Sequence, residues 1–254
     1  MGGDGKGRDR RCGRRPRASR LALLLAMLFA GCGSGGGGSD ACAGGAACSA
    51  GEQIYDFANG AQEWRAGFAD YPAGGEELYE LRGALMPLPP QLGLAGTGYG
   101  LSGINYSDDL FMYLTRRVSG LAPGRVYRID FVVEFATNAP SGCIGVGGAP
   151  GEHVTLKAGA SSAEPEALPD ADGFQRMSVD KGNQAQGGAD ASVLGHIGNT
   201  NSCPNAAYQL KALGGGHWAA ADDSGGLWLI VGTDSGFEGR TALYYRRITV
   251  NLTP

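Results

Sequence analysis

The chain has little of what most enzymes advertise. Its 254 residues include three histidines, His153, His196 and His217, scattered over the second half. There is no G-x-S-x-G elbow, no phosphate-binding P-loop and no H-E-x-x-H zinc motif. No CxxC or Cys/His spacing suggests a zinc site. The glycine-rich Gly145–Gly151 (GVGGAPG) lacks dinucleotide spacing and reads as a turn. A nucleophile–His–acid triad is recognised by geometry and not by sequence, so these absences leave hydrolysis without a signature. No fixed-period repeat and no convincing amphipathic helix occurs after the first fifty residues. What the chain does have is glycine, 46 of them, and recurring short apolar runs.

The N-terminal region is organised differently from the rest. Lys6, Arg8, Arg10, Arg11, Arg14, Arg15, Arg17 and Arg20 precede an uncharged apolar run of ten, Leu21–Ala30. A helix of that length rises only about 15 Å, half a hydrocarbon core, so it suits a signal-peptide apolar region better than a membrane span. The run ends in Leu28-Phe29-Ala30-Gly31-Cys32. This resembles the lipobox of bacterial lipoproteins, with Phe29 where leucine is commonest. The resemblance implies that residues 1–31 are a lipoprotein signal peptide, that Cys32 is acylated, and that the bilayer is a partner through that anchor. Gly33 after the cysteine favours an outer membrane or cell surface. A plain secretory signal is the alternative. Residues 32–51 are Gly/Ser-rich and read as a flexible tether.

Eight of the 21 basic residues, but only two of the 25 acidic ones, fall in residues 1–31. The remainder is therefore acidic, which excludes nucleic acid as the main partner and is compatible with soluble ligands or divalent cations. Once Cys12 leaves with the signal and Cys32 takes lipid, Cys42, Cys48, Cys143 and Cys203 remain, an even number for an oxidising compartment. Three pairings are open. The simplest joins Cys143 to Cys203 in the domain and Cys42 to Cys48 in the tether.

Residues 52–254 have the length of one domain with a proper core. Val126 to Phe135 (VYRIDFVVEF) alternates Tyr127, Ile129, Phe131, Val133 and Phe135 against a more polar set, the period of a half-buried strand. Pro123-Gly124 before it is type II turn chemistry, and Leu110 to Val118 reads as its hairpin partner. Leu227 to Val231 (LWLIV) reads as a buried strand and Ala242 to Leu252 as the last one. Gly232 to Thr241 (GTDSGFEGRT) then reads as a charged hairpin loop between them. Shorter strands are expected at 53–57, 64–68, 77–82, 98–103, 154–158, 175–179, 193–197 and 207–213. The pattern predicts an all-β fold, a single antiparallel β-sandwich.

"GLAPGRVYRIDFVVEF" and "LWLIVGTDSGFEGRTALYYRRITVNL" resemble jelly-roll, galactose-binding-like domains, including many carbohydrate-binding modules. There a GL-x-PG turn precedes a long core strand and a late loop leads into the final strand. Arg246 stands where that strand often has Asp. "WRAGFADYP", "SDDLFMYLTRRVSGL" and "DKGNQ" resemble a group of exported bacterial proteins without an assigned activity. That second resemblance implies export and a β-sandwich, and no chemistry.

Two site chemistries follow. Calcium takes six to eight oxygen ligands. Asp108, Asp109, Asp234 and Glu238, with Asp180, Asp222 and Asp223 in other turns, could converge as a loop site; alternatively, Asp simply favours turns. "DADG" at 170–173 fails as an EF-hand, because Leu168 and Val179 would occupy its end positions. Sugar binding needs exposed aromatic faces beside polar groups. Trp64, Tyr71, Tyr106 and Trp218, then Tyr99 and Tyr245, are the candidates, against core or rim packing, which is expected for Trp228 within LWLIV. The chain thus reads as a lipid-anchored extracytoplasmic binding protein for carbohydrate or another envelope polymer. A glycan hydrolase and a structural or protein-interaction lipoprotein are the alternatives.

Overall fold

A computed structural model describes residues 50–254; Cys32, Cys42, Cys48, the signal and nearly all of the tether lie outside them. Sixteen strands follow in order: β1 (Gly51–Asp56), β2 (Arg65–Ala69), β3 (Tyr71–Pro72), β4 (Arg82–Pro87), β5 (Thr97–Ile104), β6 (Leu110–Val118), β7 (Val126–Thr137) and β8 (Pro140–Ser141), then β9 (Val154–Ser161), β10 (Ala167–Pro169), β11 (Phe174–Met177), β12 (Ser192–His196), β13 (Asn199–Ser202), β14 (Gln209–Ala220), β15 (Leu227–Ser235) and β16 (Arg240–Thr253). The described helical structure is two short 3-10 turns, Phe57–Asn59 and Pro90–Leu92.

Two antiparallel sheets form the sandwich. One has the order β14-β7-β16-β5-β4, with β1 pairing the far half of β16; the other runs β12-β9-β15-β6-β2. Alternation sets what lies between them. Tyr127, Ile129, Phe131, Val133 and Phe135 of β7 face Leu156, Ala158, Leu229 and Val231 of the opposite sheet in one continuous core. In β16 a bulge between Tyr245 and Arg247 shifts the parity, so that Leu243 and Tyr245 before it and Ile248, Val250 and Leu252 after it all point inward. The extra residue leaves Arg246 and Arg247 both on the outside. There they bond the two oxygens of Glu134 at 2.8 and 3.2 Å.

A third, three-stranded sheet, β10-β11-β3, accompanies a second small core. Ala69, Phe111, Tyr113 and Ile230 on the outer face of the five-stranded sheet pack with Val179, Met177 and Ala167. This is why LWLIV is buried on both sides: Leu229 faces the main core and Ile230 the second one.

The strands meet expectation better than their connections do. Pro123-Gly124 is a turn closed by Arg125 N donating to Ala122 O at 3.2 Å, with Gly124 at φ 66, as type II requires. Yet β6 and β7 are not a hairpin; they lie in different sheets. The same holds for β15 and β16, so Gly232–Thr241 is a crossover between sheets. Its first four residues are still β15. Residues 77–80 form turns before β4, and β14 runs seven residues past Leu213 through three glycines. Cys143 and Cys203 are bonded, with Cα atoms 5.2 Å apart. Closing that 60-residue span restricts the unfolded chain by about 4 kcal/mol in the loop-entropy picture.

Candidate functional site

The outer faces of the two main sheets differ. On the six-stranded sheet, β14 turns Leu210, Ala212, Gly214, Gly216 and Trp218 outward, all exposed. Small residues leave a flat shelf that ends at Trp218, whose indole is 59% exposed. Directly across the register, Arg128 pairs with Trp218 and Asp130 with Gly216. The Arg128 guanidinium lies 5.8 Å from the Trp218 ring centroid. Its Nε also donates to both Asp130 oxygens at 3.0 and 3.1 Å. A Cβ on Gly216 would come within 2.9 Å of Asp130 Oδ1 and 3.0 Å of Arg128 Nη2. The ion pair therefore leans over the glycine. The arrangement offers one apolar ring face and, beside it, N–H donors and carboxylate acceptors.

The other expected aromatics do not join it. Trp64 is buried, edge-on to Tyr55 at 5.5 Å and Phe57 at 6.5 Å, because the turn closed by Trp64 N to Ala61 O tucks the ring under β1. Tyr71 is buried against Tyr79 with its hydroxyl donating to Glu76 at 3.1 Å. Tyr99 and Tyr245 are core residues. All four are corrected from candidate ligand contacts to packing. Tyr106 is exposed, edge-on to Tyr79. However, its neighbour Ile104 pairs with Arg240 at one end of β16, whereas Arg128 pairs with Thr253 at the other. At about 3.3 Å per residue that strand keeps Tyr106 and Trp218 about 40 Å apart. Trp228 is packed as expected, with Arg65 and Arg117 5.7 and 5.9 Å from its ring.

On the five-stranded sheet the outer face carries buried charge. Lys157 of β9 and Asp234 of β15 have fully buried side chains, with Nζ 2.7 Å from Oδ2. Lys181, from the loop after β11, reaches the same Oδ2 at 2.8 Å and Asp70 Oδ2 at 3.0 Å. Arg176 of β11 bonds Asp70 Oδ1 at 3.0 Å and Asp170 Oδ2 at 3.2 Å. Asp109 sits 3.7 Å from both Lys181 and Arg176. Burial, opposed by Lys181 and reinforced by Asp234 and Asp70, pushes the Asp109 carboxyl up to about 7. Burial pulls Lys157 below the ordinary lysine range. For Lys181 the same burial is outweighed by Asp234, Asp70 and Asp109, which hold it above that range. With Asp109 protonated, three cations meet three carboxylates, a balance that buried charge requires.

The acids expected to bind calcium are divided by this arrangement. Asp109 and Asp234 belong to the lysine network, and Asp234 is a strand residue inside the fold rather than a loop ligand. Asp108 and Glu238 both approach Gly147. Among the described residues no group of three or more His, Cys, Asp or Glu side chains could hold a metal ion. Of the histidines, His217 is buried, which lowers its pKa, and Ser192 Oγ lies 3.0 Å from its Nδ1. The Asp190 charge opposes that lowering of the ring's pKa.

No protein-family model matches the chain, and no curated protein matches it in sequence. Among solved structures it is similar to the enzymatically active domain of bacteriophage CBA120 tailspike protein 4, at 12% identity and TM-score 0.33, covering 75% of this chain and 19% of that one. It is also similar to a carbohydrate-binding module from the β-sandwich superfamily, at 8% identity and TM-score 0.38, covering 81% of this chain and 64% of that one. A third neighbour is TmCBM61, solved in complex with β-1,4-galactotriose, at 13% identity and TM-score 0.35, covering 76% and 92%. The chain thus spans less than two thirds of the first two.

Proposed function

We infer that this protein is an exported, lipid-anchored binding protein whose ligand is carbohydrate, in free or envelope-bound form, held on the open outer face of the six-stranded sheet. The observation that carries this reading is Trp218, a large indole left 59% exposed on a flat strand face beside the Arg128–Asp130 pair. Burying an exposed tryptophan on a ligand recovers apolar area that folding left in water. Sugar rings have an apolar face to stack and hydroxyls at the rim for Arg128 and Asp130. The shelf of Ala212, Gly214 and Gly216 leaves space for a chain of rings rather than a single buried residue. Acylation of Cys32, followed by the tether, would let the domain stand clear of the membrane surface.

The test is a panel of plant, bacterial and host glycans screened by melting-temperature shift, with Trp218→Ala alongside. A glycan that raises the melting temperature of the wild-type chain and not of the variant is expected. Unchanged melting across the panel, or a shift that Trp218→Ala retains in full, would sink the reading. Loss of palmitate labelling in Cys32→Ser checks the anchor separately.

A further inference from the structure

The buried ionic cluster under the small sheet plays no part in the binding face, and it contains the components of a condensation reaction. We propose that Lys157 and Asp234 are joined by an intramolecular isopeptide bond, an Nζ–Cγ amide formed between their side chains with loss of one water.

Geometry comes first. The two residues sit on adjacent strands, β9 and β15, on the same outer face. Gly232 is the direct partner of Lys157, and Asp234 is that of Thr155, so the pair is diagonal. Gly232 has no side chain to stand between them. An Nζ–Oδ2 separation of 2.7 Å places Nζ about 3–3.5 Å from Cγ, the near-attack range in which reacting groups gain effective molarities of about 10⁵–10⁸ M. Both side chains are inaccessible to water. In water the ammonium and carboxylate would be held apart by solvation. In this interior, transfer of a proton from Nζ to the carboxyl removes two charges that are costly to bury.

The neighbours supply the rest. Lys181 Nζ donates to Asp234 Oδ2 at 2.8 Å, which polarises the carbonyl as an oxyanion donor would. Asp234 Oδ1 is buried without a hydrogen-bond partner, and Asp109 lies within hydrogen-bond reach of that carboxyl. With its pKa raised to about 7 by burial, Asp109 exchanges a proton readily near neutral pH and is placed to give one to the departing hydroxyl and to recover one from the nitrogen. The Nζ–Cγ bond forms, the Cγ–Oδ1 bond breaks, and Oδ1 leaves as water with two protons from the original ammonium. No oxidant or second substrate is required.

The product keeps polar partners already present in the site. Lys157 Nζ already donates to Lys181 O at 3.0 Å, which becomes the bond of the amide N–H. Oδ2 keeps its donor in Lys181. The oxygen that leaves is the one neither lysine holds. The link would tie the central strands of the five-stranded sheet to each other covalently, beside the Cys143–Cys203 bridge elsewhere in the domain.

Intact-mass spectrometry of the full chain with its disulfides reduced, compared with Lys157→Met, provides the test. The wild-type chain should be lighter than the variant by one water beyond the substitution itself. Protease digestion should yield one branched peptide joining the segments that carry Lys157 and Asp234. Asp109→Asn should fold and show mostly unlinked chain. A wild-type mass without water loss overturns the bond, as does a water loss that persists in Lys157→Met. Complete linkage in Asp109→Asn overturns the role given to Asp109 as proton carrier.

Discussion

The two outer faces of this sandwich begin from the same rule and end differently. Both are strands whose alternate residues point away from the main core. On the six-stranded sheet those residues stay in water: Trp218, Arg128 and Asp130 are exposed, and their ion pair is screened and worth little. On the five-stranded sheet the small sheet β10-β11-β3 and the loop after it cover part of the corresponding positions. Lys157 and Asp234 are then as buried as Phe111 and Ile230. The same chemical pairing, a cation with a carboxylate, is a surface decoration on one face and an internal commitment on the other. What separates the faces is whether a further layer of chain excludes water.

That contrast can be broken most forcefully at Asp234. Asp234→Ala leaves two lysines facing an empty, dry site, and removing one partner of a buried pair costs about 3–5 kcal/mol. Urea denaturation should show a loss of that size; a loss below about 1 kcal/mol would mean that water reaches the cluster. Phe111→Ala asks whether the cover is packed or merely resting. Phe111 stacks on Tyr113 at 5.4 Å and carries the Lys181 ammonium 5.1 Å from its ring. Its truncation should cost about 3 kcal/mol or more, with faster proteolysis in residues 163–190 than elsewhere.

Acid and base sharpen the comparison further. The Asp109 carboxyl has a raised folded-state pKa, about 7. The folded protein therefore holds a proton that the unfolded chain releases above about 4. Stability from this group is complete below about pH 4 and is lost as pH rises toward 7, by about 2–4 kcal/mol. Asp109→Asn should flatten that part of the stability–pH curve; an unchanged curve would place the titration elsewhere. Smallest in stability is Trp218→Ala, an exposed position where less than about 0.5 kcal/mol is expected, together with about a tenfold or greater loss of glycan affinity. Gly216→Ala should displace the Arg128–Asp130 pair and weaken binding with a similarly small change in melting.

Much of the open face is legible in the chain. Trp218 stands one residue after three glycines and precedes two alanines, so little around it could bury an indole. The alternation in 126–135 states which side of β7 is core, because a one-residue shift would reverse every side chain. Trp64 was less legible: it follows a polar stretch that reads as loop, and only the turn at Ala61 sends its ring inward. The covered face was the least legible. Asp70, Asp109, Lys157, Arg176, Lys181 and Asp234 have no common spacing. Lys157 in VTLKAGA carries the only charge in its strand, and it reads as a solvent-facing residue. A charged residue on an apolar strand was the one available signal that another layer of chain covers that face.

The sequence by itself determined the β-sheet class, the faces of the long strands and the Pro-Gly turn, and left the Cys143–Cys203 bridge as one of three pairings. These depend on period-two alternation and on residue chemistry, and both act locally. Only the tertiary structure decided that β6 and β7, and likewise β15 and β16, part into different sheets, and that Asp234 is an interior charge rather than a loop ligand. Strand partners are chosen by long-range packing, and burial depends on what another part of the chain lays on top, neither of which is written at the residue concerned.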